Sequence, residues 1–122
     1  MDNNKTAVRG IRGATTTTSN NSEEIYNATR ELLENMVQAN QIKTEHIAAI
    51  FFSATPDLNS AFPARAAREM GWLNVPLFCH LEIDVPEALP RCIRIMMLVN
   101  TTLEQDQIKH VYLKDTVKLR EL

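Results

Sequence analysis

The sequence predicts one small domain of mixed helix and strand, in the order β-α-β-α-β-β-β. Three observations carry that prediction. Residues 92–101 form a short apolar run, β-branched in part, between Pro90 and the polar Asn100-Thr101-Thr102, which marks a strand. Its faces, Ile93/Ile95/Met97/Val99 and Cys92/Met96/Leu98, are both apolar, so it is expected to be covered on both sides. Second, Ile25, Ala28, Thr29, Leu32, Leu33 and Met36 recur at helical spacing, with Glu31 and Glu34 opposite. Third, residues 47–55 are a further buried strand that stops at the turn signal Pro56-Asp57.

The whole chain sets bounds. Its 122 residues suit one domain, expected to be residues 1–122, with residues 1–5 loose and 115–122 a C-terminal tail. A chain of this size can bury a core without staples. Thirteen Lys and Arg stand against fifteen Asp and Glu, a net charge of −2, which argues against a nucleic-acid partner. No apolar run approaches the ~20 residues of a membrane span. The polar start, Met1 to Thr6, lacks the apolar centre of a signal peptide. Cys79 and Cys92 make no disulfide framework, and a reducing cytoplasm is the simplest setting.

The elements follow in order. Residues 6–18 read as a strand with Val8, Gly10, Arg12 and Ala14 on one face and Arg9, Ile11 and Thr15 on the other. Small residues beside Arg12, Gly13 among them, clear space around its side chain. Asn21-Ser22-Glu23-Glu24 is a capping start for the first helix, which ends near Asn40. Residues 44–46 are a turn with an exposed His46. After the loop 58–62, Pro63 opens a second helix that Gly71 closes. Residues 75–82 are a third strand, with Pro76 at its start or on an edge. Residues 110–113 are a strand, and residues 116–120 a short strand or mobile tail.

Charge inside apolar strands is the unusual feature. Arg94 stands in the middle of the 92–101 run, and a buried guanidinium must find an anion or several acceptors. Glu82, ending an apolar strand, is the best carboxylate for it. Arg12, Tyr112 and the helical pair Arg65 and Arg68 complete a set suited to a small dianion carrying a hydroxyl. The plainer alternative for each arginine is a solvated face. Cys79-His80-x-Glu82 invites metal or thiol chemistry, but Cys79 and His80 point to opposite faces and no second ligand pair stands at zinc spacing. No phosphate loop or dinucleotide-binding glycine motif is present. The residues therefore describe an anion binder, or an enzyme that works by positioning and electrostatics.

Five blocks are more specific: residues 9–16 (RGIRGATT), 53–58 (SATPDL), 62–65 (FPAR), 92–97 (CIRIMM) and 106–113 (DQIKHVYL). In this order and spacing they resemble the AroH-type monofunctional chorismate mutases, over nearly the whole chain. The resemblance implies an α+β fold: a mixed β-sheet with helices packed on one face, assembling as a homotrimer around a pseudo-α/β-barrel with active sites at subunit interfaces. It implies the intramolecular Claisen rearrangement of chorismate to prephenate, in phenylalanine and tyrosine biosynthesis, in the cytoplasm, without metal or cofactor.

The resemblance also implies roles. Arg94 would bond the breaking ether oxygen and a substrate carboxylate, Arg12 a carboxylate, and Glu82 the ring hydroxyl with Cys79 beside it. Tyr112 would line the pocket. Phe62, Ala64, Arg65 and Arg68 would come from the neighbouring subunit, with Leu77 and Phe78 nearby, and Leu119 and Arg120 would belong to a covering tail. Arg65 stands where the family often has Lys, and Phe78 replaces a smaller polar residue. The alternative reading is a non-catalytic trimeric dianion binder on the same scaffold.

Overall fold

The computed structural model describes residues 5–121, with side chains through residue 119. Five strands form one sheet in the order β3-β2-β4-β1-β5: β1 is Ala7–Thr16, β2 Ile47–Ala54, β3 Leu77–Leu81, β4 Cys92–Thr101 and β5 Val111–Tyr112. The sheet is mixed. β4 runs antiparallel to both β1 and β2, while β3 joins β2 and β5 joins β1 in parallel. The fold is α+β, as the sequence predicts, and β4 is the central strand.

Helix α1, Ser22–Ala39, forms where its apolar stripe dictates, and its buried residues are the six at helical spacing. Asn21 caps it by accepting the Glu24 amide proton at 2.8 Å. The Glu24 carboxylate accepts in turn from the Thr18 amide at 2.7 Å, the Thr18 hydroxyl at 2.6 Å and the Ser19 hydroxyl. These bonds, Ser19 and Thr18 foremost, pull the Glu24 pKa down to about 2. At the other end Asn40 donates to Met36 O and Lys109 O, both at 2.9 Å, and accepts from Lys109 N at 2.8 Å. Helix α2, Ala64–Glu69, ends in a Schellman turn: Trp72 N bonds Ala67 O and Gly71 N bonds Arg68 O, with Gly71 at φ +88°.

Both helices pack on one face of the sheet. Leu32, Leu33 and Met36 of α1 and Ala64 and Ala67 of α2 join Ile11, Ile50, Phe52, Ile95, Met97 and Val99 in the main core. Gly13 belongs to this packing. A Cβ there would lie 2.5 Å from Met36 Sδ and 3.1 Å from Leu32 Cδ1. Its missing side chain lets α1 approach the sheet; it does not make room for Arg12, as the sequence suggested, because it points to the opposite face.

Two further expectations need correction. Residues 116–120 are neither strand nor loose tail: Lys114–Glu121 is a 3-10 helix, anchored by fully buried Thr116, whose hydroxyl donates to Ala14 O at 2.9 Å. And β4 is covered only in part on its second face, where Cys92 is buried but Arg94 and Met96 are exposed. Met97 is fully buried while Met96 is 38% exposed. The four N-terminal residues, most of the predicted loose segment, lie outside the described region.

Candidate active site

The face of the sheet away from the helices carries the predicted cations. Cross-strand register places Tyr112, Ala14, Arg94, Ser53 and His80 in one row across all five strands. The next row holds Arg12, Met96, Phe51 and Phe78. Alternation along each strand puts every one of these side chains on the open side. Ala14 and Ser53 are small, so a cleft of about 250 Å³ opens beside Arg94, lined also by Arg12, Phe51, His80, Met96 and Tyr112.

Arg94 is not buried within one chain. Its side chain is 44% exposed, with Nε 3.8 Å from Glu82 Oε1. Glu82 lies just beyond β3, tied by its amide to Ala54 O at 3.0 Å. The Ser53 hydroxyl donates to the same carboxylate oxygen at 2.5 Å. Ser53 thus joins the cluster; the sequence names it only within the block 53–58 and gives it no role. Its alternation with Phe52 was the available signal. Arg12 has no carboxylate within ion-pair distance among the described residues. Two guanidiniums, one unpaired and one half-engaged, face a cleft sized for a small molecule.

The strand that carries Arg94 is held at its start. Asp57 accepts the Arg91 amide through both carboxylate oxygens, at 3.1 and 2.9 Å, where Arg91 has φ +47°. The Thr55 hydroxyl donates to Asp57 at 2.5 Å and accepts the Cys92 amide at 3.0 Å. A turn signal in the sequence is therefore also a clamp on the first residues of β4. Buried Cys92 lies two residues from Arg94 on the same strand; burial pushes its thiol up, against the pull of the Arg94 charge and hydrogen bond.

The other predicted residues lie elsewhere. Leu77 and Cys79 alternate to the helix side of β3, opposite Phe78 and His80. Cys79 lines a hollow of about 300 Å³ with Phe62, Ala64, Arg68, Leu77 and Phe78. It therefore does not sit beside Glu82 in the same cleft. Burial raises its thiol pKa, outweighing a backbone hydrogen bond at Ala64 and the charge of Arg68. Arg65 turns away to Glu69, 3.2 Å from Nε to Oε1, and over the Tyr26 ring at 5.4 Å. It lines a neighbouring hollow with Phe62, Cys79 and His80. His80 packs between Phe51 and Phe78, with ring centroids at 5.9 and 4.3 Å. Among the described residues no three His, Cys, Asp or Glu side chains could hold a metal together. Leu119 is half-buried on the 3-10 helix, and the Arg120 side chain lies outside the described residues.

Fold and site define a class: a small α+β protein whose open sheet face carries two arginines beside a small cleft. The family model for chorismate mutase type I matches residues 8–121. The chain is 50% identical over 114 residues to a chorismate mutase AroH of Bacillus subtilis (strain 168), covering 93% of this chain and 90% of that one. It is 52% identical over 114 residues to a chorismate mutase AroH of Thermus thermophilus, covering 93% of each. A solved chorismate mutase from Clostridium thermocellum superposes with a TM-score of 0.88 at 48% identity, covering 89% of this chain and 97% of that one. The chain belongs to the chorismate mutase type I family, and its function is that of a chorismate mutase.

Proposed function

We propose that the chain rearranges chorismate to prephenate at a site completed by a second copy of itself, within a homotrimer whose sheets surround a pseudo-barrel. One observation carries this reading. The residues expected around a single ligand fall on two separate patches, because alternation along β3 sends Cys79 and Leu77 to one side and Glu82's partner Arg94 lies on the other. One copy supplies Arg94, Arg12, Glu82 and Tyr112. Its neighbour supplies Phe62, Ala64, Arg65, Arg68, Leu77 and Cys79, with Phe78 bordering both patches. Leu119 and Arg120 belong to the closing segment, residues 115–122 of a single domain spanning 1–122. The exposed apolar side chains on the open face, Val8, Phe78 and Met96, supply a reason for it to be covered.

The chemistry suits these groups. The rearrangement is intramolecular and asks for no proton transfer, so binding the substrate in a compact reactive conformer removes much of the barrier. As the ether bond lengthens, negative charge grows on its oxygen. Arg94, held by Glu82 and by the Asp57 clamp, meets that charge and binds the transition state better than the ground state. Arg12 takes a carboxylate, and Glu82 accepts the ring hydroxyl. No cofactor is assigned, the product feeds phenylalanine and tyrosine synthesis, and the reaction is placed in the cytoplasm. Among the described residues no helix is long and apolar enough to cross a membrane. A non-catalytic dianion binder would have no use for a paired cation at the reacting centre, and no observation favours it.

The test is loss of chorismate absorbance with purified protein, beside Arg94→Ala. The variant is expected to turn over about 10²- to 10³-fold more slowly, a loss of ~3–4 kcal/mol of transition-state stabilisation, with a much smaller loss in ground-state binding. A pure rise in KM with turnover unchanged would contradict the role given to Arg94.

A further inference from the structure

The outer edge of β1 is where the site's second cation is held, and it is only partly paired. β5 is two residues long and reaches Gly13 and Ala14 alone. Upstream, no strand among the described residues lies beside the outward N–H and C=O groups of β1. Side chains take that place. Gly10 donates its amide to Gln105 Oε1 at 3.0 Å and accepts from Gln105 Nε2 at 2.8 Å, so a side-chain amide pairs with it as a peptide would. Two residues on, the Arg12 amide donates to His110 Nδ1 at 2.9 Å. Below Ala14 the backbone ladder resumes, with Leu113 N to Ala14 O at 2.9 Å.

His110 is itself presented from a fixed point. The residue before it, Lys109, is gripped through both its N–H and its C=O by the Asn40 side chain at the end of α1. The residue after it, Val111, opens β5. Because a backbone N–H can only donate, the imidazole must accept at Nδ1 and carry its proton on Nε2. Arg12's outward backbone thus has an acceptor set by a neutral imidazole, locked to the helix on one side and to Tyr112's strand on the other.

We propose that His110 is a positioning residue for Arg12: its Nδ1, with the Gln105 amide, substitutes for an absent strand and fixes the backbone from which the anion-binding guanidinium reaches the cleft. The inference rests on the reading of Arg12 as a carboxylate ligand. Arg12 would hold that carboxylate equally in ground and transition states, so slackening it acts on binding more than on turnover.

The test compares His110→Leu, His110→Asn and Arg12→Ala by KM and kcat for chorismate. Leu keeps bulk and removes the acceptor; Asn places Oδ1 where Nδ1 stood. His110→Leu is expected to raise KM about fivefold to tenfold with kcat within about twofold, and His110→Asn to return KM to within about twofold of wild type. An unchanged KM in His110→Leu, or no recovery in a folded His110→Asn, overturns the inference. Amide hydrogen exchange at Arg12 in the wild-type protein decides the matter even if the Leu variant does not fold. Slow exchange supports the bond to His110, and exchange at the rate of a free peptide removes it. If Arg12→Ala itself leaves KM unchanged, the reading of Arg12 is at fault, and the exchange result still judges His110.

Discussion

Met96 and Met97 are consecutive residues of β4, yet one is 38% exposed and the other fully buried. The two faces of the sheet differ in the same way around the cleft. On the helix side, Ile95, Met97 and Val99 meet α1 and α2 in the main core, and Ile93 packs in a second cluster with Ile25 and Ala28 of α1. On the open side, Arg94, Met96 and Phe78 stay exposed and Phe51 half-buried among the described residues. The first face spends its apolar area on holding one chain together. The second keeps its area, and its cations, for what comes from outside: a ligand, and by our proposal another copy.

Truncating the two methionines separates those roles most sharply. Met97→Ala is expected to cost about 2–5 kcal/mol of folding stability at any protein concentration, read by urea titration. Met96→Ala should leave the isolated folded chain almost unchanged and lower the melting temperature only at protein concentrations high enough for assembly, the difference from wild type vanishing on dilution. Equal, concentration-independent losses from both would erase the distinction. Gly13→Ala probes the helix face from the strand side. Its Cβ would enter space filled by Met36 and Leu32, so a loss of about 1–3 kcal/mol is expected, with the site residues on the opposite face undisturbed.

The smallest effect lies at the start of α1. Glu24 has its pKa lowered from 4.5 to about 2 by the Ser19 and Thr18 bonds. A depressed carboxylate stabilises the fold fully above its unfolded value and loses that contribution as pH falls from about 4.5 through about 2. Glu24→Gln should therefore flatten the fall of the urea midpoint across that window and leave turnover near neutral pH unchanged. An unaltered acid slope would show that the bonds to Thr18 and Ser19 do not hold in solution.

The helix face was the more legible of the two. Period alone picked out all six buried residues of α1, and local chemistry placed Asn21 at its start and Gly71 at the end of α2. Alternation correctly grouped Arg12 with Ala14 and Arg94 with Met96. It could not say that β1 and β4 are neighbours, nor that β5 brings Tyr112 beside Ala14, because strand order depends on contacts far apart in the chain. The double apolar face of β4 predicts cover on both sides, but among the described residues Arg94 and Met96 stay exposed on one of them. Gly13 was misread because space beside an arginine and space for a helix look alike in one dimension. The 3-10 helix after Lys114 was missed because a short polar segment carries no period, and its anchor, Thr116, bonds a carbonyl a hundred residues away in β1.

Mixing two defective variants tests the shared site most directly. Arg94→Ala removes a cation from one patch, and Arg68→Ala removes one from the other. Each alone should be nearly inactive towards chorismate. Unfolded together and refolded as mixed trimers, they should recover about a quarter of wild-type activity, because about one interface in four then pairs an intact Arg94 patch with an intact Arg68 patch. Recovery near that level is what a site built from two copies predicts. Mixed trimers with no more activity than the separate variants would place all the site residues in one chain and contradict the account.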